Sequence, residues 1–510
     1  MLGLAATGCE TGKQQVSGEI GSAEGFAGAV VADEPRAVLA ARDALAAGGS
    51  AADAAVALYF TLAVTLPSSA GVGGGGVCLV YDPDTERPYV LDFLPRASDD
   101  GSIGVPGNVR GMALLHAEHG RIRWTQLLAP VEDLARGTSV SRALARELAS
   151  HGYALLGDAE ANRVFANADG GLVGEGDGLR QLDLVGTISQ IRREGAGALY
   201  TGNLAIRLVQ AAQDAGVPLS AETLRAVRPQ KRDALTVGVG ARAGYFASPP
   251  ADGGLLGAQL TVILQGRGEA GAGTDRAHLL VEASKRAQVE TARRTDGEAI
   301  ARLSPSRLQS LMETYDPASA TPISTIGPAL GDDADPGATG FVVVDGDGLA
   351  VACDVTLNRP FGSGRIIPGT GVFLAAPPSS SGGFAVGPVI AISPEAGTVD
   401  FIGAASPGVP GTTALATVLV DTVARGDSLD SAIEAKRVYY SAASDTVAYE
   451  DGTSESVVSA LSQRGHAVQP SEGLGRVNAI WCSDGLPDDP DSCQARSDPR
   501  GSGLAVIQAD

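Results

Sequence analysis

Lysine, cysteine, aromatic residues and long apolar runs are all scarce in this chain of 510 residues. There are four lysines, and Asp and Glu outnumber Lys and Arg by 59 to 38, which gives a formal charge of −21. Because phosphate groups attract proteins with a surplus of Lys and Arg, this charge argues against a nucleic-acid partner. Aromatic residues make up only 4%, but hydrophobic residues make up 44%, an ordinary share that excludes wholesale disorder.

The few apolar runs include none of the roughly 18–20 residues needed to span a bilayer. The short run that ends at Cys9 is similar to the last part of a bacterial lipoprotein signal, in which the cysteine receives the lipid. That resemblance implies a signal and flexible tether over residues 1–25 and a membrane contact made only through Cys9. It also implies an extracytoplasmic location, periplasmic or anchored to the envelope. A plain cytosolic N-terminus is the alternative.

Five cysteines are too few for a disulfide scaffold, and their spacing fits no metal site. Cys482 and Cys493 flank a polar segment, and a bridge between them would stabilise the fold by roughly 3 kcal/mol on the chain-entropy model. Two unrelated thiols are the alternative. His116 and His119 share a predicted helix, but no third ligand follows at a suitable spacing. We therefore predict neither a metal nor a cofactor, and the sequence does not indicate an oligomeric state.

Hydrophobic periodicity predicts a mixture of helices and antiparallel strands, which favours an α+β fold. The clearest predicted helices cover 35–47, 50–66, 124–135, 141–151, 255–264, 412–424 and 429–439. The clearest predicted strands cover 77–81, 88–93, 340–345, 349–355 and 386–392. Residues 319–338 are rich in Pro, Gly and Asp and are expected to form a long exposed loop.

An ordered series of motifs over residues 26–510 resembles the gamma-glutamyltransferase (glutathione hydrolase) family. The series begins with Gly-Gly-Ser-Ala-Ala-Asp at 48–53, Pro-Ser-Ser-Ala-Gly-Val-Gly-Gly-Gly-Gly at 67–76 and Val-Pro-Gly at 105–107. It continues with Phe-Val-Val-Val-Asp at 341–345, Thr-Leu-Asn at 356–358 and Phe-Gly-Ser-Gly at 361–364. The resemblance implies an αββα sandwich of the N-terminal-nucleophile hydrolase type. It divides the chain into a large-subunit-like part, 26–337, and a small-subunit-like part, 338–510, within one integrated fold.

In that family the chain cleaves itself in a loop and frees a threonine, which then acts as nucleophile and uses its own amine as base. The family motif reads Thr-Thr-His-Phe-Ser-Val-Val-Asp, whereas here the ungapped stretch is Ala-Thr-Gly-Phe-Val-Val-Val-Asp at 338–345. The nucleophile position is thus Ala338, whose methyl group cannot attack a carbonyl. Thr339 is the alternative nucleophile, although alternation along a strand points it to the other face. Thr356 and Asn358 match the family's supporting threonine and substrate-binding asparagine.

The residues expected to recognise glutamate depart from the family as well. Its carboxylate-binding arginine falls on Leu94, and Arg96 lies two positions later. Its acidic residues for the α-amino group fall within 375–381, which contains no acid, and its paired serines become Ile390 and Ala391. Gly408 and Val409 occupy the oxyanion-hole positions, where the backbone N–H groups remain available.

These joint losses predict an unprocessed and catalytically silent member of the family with a binding or scaffold role. The alternative is an active gamma-glutamyl hydrolase or transferase, or a related amidase, that uses Thr339 and a remodelled pocket. The resemblance implies a small gamma-glutamyl compound or another acyl amide as ligand, although the sequence does not name a ligand for a silent member.

Overall fold

The computed structural model describes residues 19–20, 26–85, 87–266, 273–293, 299–329, 337–379 and 383–508. Two sheets lie face to face, and each is covered on its outer face by helices. The predicted α+β class and the αββα sandwich are both confirmed. Cys9 lies outside the described residues. Among the helices described, none is both long enough and apolar enough to cross a membrane.

The first sheet has eight strands, all antiparallel except the outermost pair at one edge. Its strands follow the spatial order Glu19–Ile20, Leu504–Gln508, Gly28–Ala32, Ala338–Asp345, Ala350–Thr356, Gly75–Tyr81, Tyr89–Asp92 and Gln230–Asp233. The strand that begins at Ala338 therefore lies near the middle of the sheet. Every residue of that strand is buried, as expected for a central strand covered on both faces.

The second sheet has six antiparallel strands. In spatial order these are Leu235–Val239, Arg242–Phe246, Val389–Ile392, Val399–Ser406, Arg476–Leu486 and Cys493–Ser497. Short additional strands are Arg96–Ala97 with Gly104–Val105, Thr138–Ser139 with Gly178–Leu179, Ile366–Ile367 with Val372–Phe373, and the group Val438–Ser441, Thr446–Glu450 and Val468–Ser471. An apolar cluster that includes Val342, Val344 and Ile402 fills the space between the two large sheets.

The helices divide into two layers. Those against the eight-stranded sheet are Pro35–Ala46, Ala51–Thr65, Asn108–His119, Trp124–Arg136, Arg142–His151, Ala159–Phe165, Leu182–Glu194, Gly197–Tyr200, Asn203–Asp214 and Ala221–Ala226. Those on the other side are Asp252–Gly266, Thr274–Ala292, Pro305–Leu311, Ile323–Ile326, Gly408–Leu419, Leu429–Glu434 and Glu455–Gln463. Helices Asp252–Gly266 and Gly408–Leu419 pack directly on the six-stranded sheet.

Helix Ala51–Thr65 shows what the family-like motif residues do in this fold. Every one of its residues is buried, and its small alanines allow neighbouring elements to approach closely. Ser50 and Asp53 form a reciprocal cap at its N-terminus. The Ala51 N–H donates to Oδ2 of Asp345 at 2.8 Å, so the last residue of the Phe-Val-Val-Val-Asp motif also holds this helix. These matches to the family thus serve packing and capping.

Two sequence-based boundaries are wrong. The predicted helix over 429–439 stops at Glu434, and Val438–Ser441 forms a strand instead, since the β-favouring Val-Tyr-Tyr run pairs with Thr446–Glu450. Helical structure also reaches Ile323–Ile326, within the segment expected to be a long loop.

Candidate functional site

The candidate site is built around the start of the central strand Ala338–Asp345. Ala338 pairs in register with Thr356, the last residue of the neighbouring strand. The Ala338 side chain is 2% exposed and belongs to the apolar cluster between the sheets, together with Leu94 and Phe384. A methyl group surrounded by apolar side chains offers no nucleophile here.

The peptide carbonyl immediately before Ala338 is hydrogen-bonded from two directions. Oγ1 of Thr356 donates to the Gly337 oxygen at 3.0 Å, and the Leu357 N–H donates to the same oxygen at 2.8 Å. Thr356 in turn accepts from the Asn358 N–H at 2.8 Å, so its hydroxyl is held in one orientation. The arrangement polarises the Gly337 carbonyl and positions the junction between the two halves of the chain.

Asn358 has a positive φ of 66°, which is uncommon outside glycine but tolerated by asparagine. Its Nδ2 donates to the Ala376 carbonyl at 2.7 Å. The amide therefore ties the end of one strand to the segment that carries acidic residues in the related family. Its Oδ1 is buried without a hydrogen-bond partner among the described residues.

Thr339 faces a different environment from Ala338. Its side chain is fully buried, and its hydroxyl donates to Oδ2 of Asp33 at 2.9 Å. Ser406 donates to the same oxygen at 3.2 Å, while Nδ2 of Asn478 donates to Oδ1 of Asp33 at 2.9 Å. Asp33 thereby joins the two sheets, and Thr339 forms part of that polar bridge.

Gly340 occupies the position of the family's histidine, and the surrounding backbone leaves no room for one. A Cβ at this position would lie 2.6 Å from Oδ1 of Asp354 and 2.9 Å from the Ala405 nitrogen. Asp354 is fully buried and accepts from the Gly387 N–H at 2.8 Å. Burial raises the pKa of Asp354 to about 8, so this carboxyl is mostly protonated at neutral pH.

Leu94 and Arg96, at and near the position of the family's carboxylate-binding arginine, are both engaged in other contacts. Leu94 is fully buried beside Ala338 in the inter-sheet cluster. Arg96 donates from Nη2 to Oδ2 of Asp92 at 2.7 Å, and Arg232 shares that oxygen at 2.9 Å. Asp92 is 1% exposed, so Arg96 serves as a counter-charge for a buried carboxylate.

The family's paired serines correspond to Ile390 and Ala391 in this chain. Both residues lie on the strand Val389–Ile392 and are fully buried in apolar surroundings.

Gly408 and Val409 begin the helix Gly408–Leu419. Gly408 has a φ of 45°, a conformation that favours glycine. The Val409 side chain is 4% exposed and packs with Leu256 and Leu260. The first N–H groups of a helix have no acceptor within it, so the N–H groups of these two residues are not used by their own helix.

Sequence reasoning missed several groups that hold the site. Asp33, Asp354 and Asn478 carry no motif, and only the burial of their strands would have shown that they need partners. A disulfide joins Cys482 and Cys493, the pair considered from sequence. A second disulfide, between Cys78 and Cys353, was not foreseen. It links strands Gly75–Tyr81 and Ala350–Thr356, where the two residues are register partners.

Comparisons with known proteins agree with this architecture. The sequence model of the gamma-glutamyltranspeptidase family matches residues 37–102, 94–378 and 386–507. A glutathione hydrolase proenzyme from Pseudomonas aeruginosa is 28% identical, with 94% of each chain covered. Scoloptoxin SSD14 from Scolopendra dehaani is 27% identical, with 88% of this chain and 87% of the toxin covered.

Among solved structures, the cephalosporin acylase from Bacillus halodurans shares the fold. It has a TM-score of 0.82 at 21% identity and covers 98% of this chain and 100% of its own. The Helicobacter pylori gamma-glutamyltranspeptidase has a TM-score of 0.55 at 25% identity and covers 62% of this chain and 98% of its own. Because the family's sequence model matches nearly the whole described sandwich, the chain belongs to the gamma-glutamyltranspeptidase family.

Proposed function

We propose that this protein remains a single unprocessed chain and is a catalytically silent member of its family, with a binding or scaffold role. The observation that carries the proposal is the Ala338 methyl group, packed between the sheets where the family alignment requires a threonine. The Gly337 carbonyl keeps two donors, from Thr356 and Leu357, but the hydroxyl that would attack it is missing. Without that oxygen, neither self-cleavage nor acyl transfer has a nucleophile.

The state of the pocket supports the same conclusion. Recognition of a free α-carboxylate by Arg96 would require breaking its ion pair and leaving Asp92 buried with Arg232 as its remaining partner. Uncovering a buried charge in this way costs several kcal/mol. Leu94 offers no replacement, since it is apolar and fully buried. We infer that glutamate and glutathione are not bound in the manner that the family uses.

The second candidate function is an active gamma-glutamyl hydrolase or transferase, or a related amidase, with Thr339 as N-terminal nucleophile. The hydroxyl of Thr339 is present, but it is fully buried and already donates to Asp33. Attack from this position would require the strand to turn over and the polar bridge to Ser406 and Asn478 to open. The geometry therefore favours an unprocessed, catalytically silent chain over an active enzyme that uses Thr339.

We also propose an extracytoplasmic location, with Cys9 as the lipid-anchored residue. Two disulfides support this location, because such bonds persist in oxidising compartments. The N–H groups of Gly408 and Val409 suit the carbonyl of a small gamma-glutamyl compound or another acyl amide. Such a ligand would be bound and not turned over.

The test uses the purified full-length chain. A denaturing gel with reductant is expected to show one band of full length, and gamma-glutamyl-p-nitroanilide is expected to release no nitroaniline. Two fragments with a new N-terminus at Thr339, together with turnover that Thr339→Val abolishes, would establish the active alternative. Fragments that begin elsewhere, without turnover, would indicate adventitious proteolysis.

A further inference from the structure

A cavity lies on the other side of the six-stranded sheet, outside the site at Ala338. Its volume is about 310 Å³, which is at the lower end of the range for small-molecule sites. Helix Gly408–Leu419 forms one wall, helix Thr274–Ala292 a second, and strand Val438–Ser441 a third. The lining is mainly apolar and includes Leu280, Ala414, Val418, Tyr439 and Leu474.

Two threonine hydroxyls at this cavity lack a hydrogen-bond partner among the residues that the structure describes. Thr413 is 3% exposed, and its Oγ1 is buried without a hydrogen-bond partner among the described residues. Thr453 also lines the cavity, and its Oγ1 likewise is buried without a hydrogen-bond partner among the described residues. Buried polar atoms in folded proteins are nearly always paired, so two unpaired hydroxyls in one cavity point to an absent partner.

Three cationic side chains line the cavity, and within the described part of the chain two of them are paired with acids. Arg276 is paired with Asp421, and Arg437 donates to Asp498 at 2.7 Å and to the Gly475 carbonyl at 2.7 Å. Lys436 also lines the cavity, is exposed, and forms no ion pair with the described residues. Its Nζ lies 3.6 Å from the position a Cβ would take on Gly452, so the ammonium reaches the neighbourhood of Thr453.

We propose that this cavity binds a small molecule with an apolar body and one carboxylate. The body occupies the space against Leu280, Ala414 and Val418. The carboxylate lies beside Gly452, where it accepts from the hydroxyl of Thr453 and pairs with Lys436. Two donors of this kind suit an anion. Of the other lysines in the described ranges, Lys231 is paired with Glu118 and Lys285 with Glu282.

This site is independent of the site at Ala338. Neither Ala338 nor Thr339 lines the cavity, and no catalytic step is involved. The two regions share only helix Gly408–Leu419, whose first residues are the oxyanion-hole positions and whose later turns form the cavity wall. The cavity can therefore hold a ligand whether or not the chain is processed.

The test is calorimetric titration of the full-length protein with 4-phenylbutyrate, compared with 4-phenylbutyramide and 4-phenylbutylamine. The carboxylate is expected to bind at least tenfold more tightly than either analogue, since charge-assisted bonds of this kind are worth about tenfold or more. Lys436→Gln is expected to weaken binding about tenfold, and Thr453→Val by at least a few-fold. Thr201→Val, which changes an exposed threonine in the other helical layer, is the matched control and leaves the affinity unchanged.

A space-filling variant tests the location. Ala277 lines the cavity and is partly exposed on its helix, so Ala277→Phe adds a ring to the cavity with little disturbance of the core. We expect this change to abolish binding while the unfolding temperature stays near that of the parent. The proposal is overturned if the carboxylate fails to bind, if all three probes bind equally, or if folded Ala277→Phe, or Lys436→Gln and Thr453→Val together, leave binding unchanged.

Discussion

At the scale of single residues, the junction between the two halves of the chain keeps part of its chemistry. The Gly337 carbonyl oxygen accepts hydrogen bonds from the Thr356 hydroxyl and from the Leu357 N–H. These two bonds fix its orientation and polarise it. The neighbouring residue supplies a methyl group in place of a hydroxyl. The same missing hydroxyl is the one that both chain cleavage and substrate turnover need in the family.

Ala338→Thr is expected to restore slow cleavage between residues 337 and 338, because it places a hydroxyl beside the polarised carbonyl. It is not expected to restore glutathione hydrolysis, since Leu94 still replaces the carboxylate-binding arginine and Gly340 still has no space for histidine. The measurement is a reducing gel with N-terminal sequencing, followed by a glutathione hydrolysis assay. Ala338→Val is the matched control, with the same branching and no hydroxyl. Full hydrolysis by the threonine variant would contradict our account of the pocket.

Thr339 is expected to behave as a structural residue. Thr339→Val keeps the shape of the side chain but removes the donor to buried Asp33, and it should lower the free energy of unfolding by about 1–3 kcal/mol. Urea unfolding measures this loss, and the gel pattern of the chain should not change. A variant of parental stability that loses a processed form or an amidase activity would instead assign Thr339 a catalytic role.

At the scale of elements, His278 on helix Thr274–Ala292 forms a buried pair with His466, which follows helix Glu455–Gln463. Nε2 of His278 contacts the Asp316 carbonyl at 2.9 Å, and Nδ1 of His278 lies 2.8 Å from Nε2 of His466. The carbonyl can only accept, so His278 is protonated at Nε2 and accepts from His466 at Nδ1. Lys285 and Arg286 bind the carboxylate of nearby Glu282, and the two histidines form a hydrogen-bonded pair beside it.

This pair predicts a loss of stability in mild acid. Burial lowers the pKa of His466 to about 4 and also lowers that of His278, whereas an unfolded histidine has a pKa near 6.5. Between these values the unfolded chain binds more protons, so the free energy of unfolding falls as the pH drops from about 6.5 towards 4. Urea titrations across this range should show the fall, and it should be shallower in His466→Gln. An equal slope in both proteins would assign the effect to other groups.

The elements also show where sequence reasoning succeeds. Helices Pro35–Ala46 and Ala51–Thr65 were predicted to within two residues, because apolar spacing and caps are local signals. The helix predicted to continue to residue 439 was wrong, since the pairing of Val438–Ser441 with Thr446–Glu450 is set by tertiary contact. The roles of Asp33 and Asp354 were equally invisible. Their partners, Ser406, Asn478 and Gly387, are remote in the chain and meet them only when the sheets stack.

At the scale of the whole molecule, the two disulfides close loops of very different length. Cys482 and Cys493 are 11 positions apart, and Cys78 and Cys353 are 275 apart. On the chain-entropy model, replacing Cys482 and Cys493 by alanine should cost roughly 3 kcal/mol, and replacing Cys78 and Cys353 about 5.5 kcal/mol. Denaturant unfolding of the two double-alanine variants, without reductant, compares them. A larger loss for the short loop would show that strain or packing, and not chain entropy, governs the difference.

The Cys78–Cys353 disulfide has a further consequence if the backbone is cleaved at the junction. One cysteine precedes the junction at Gly337 and the other follows it, on neighbouring strands in the middle of the sandwich. If self-cleavage or a protease cut the backbone at that junction, the disulfide would keep the two fragments covalently linked. Dilution could not separate them, and in an oxidising compartment the severed and the continuous molecule would share nearly the same mass and shape.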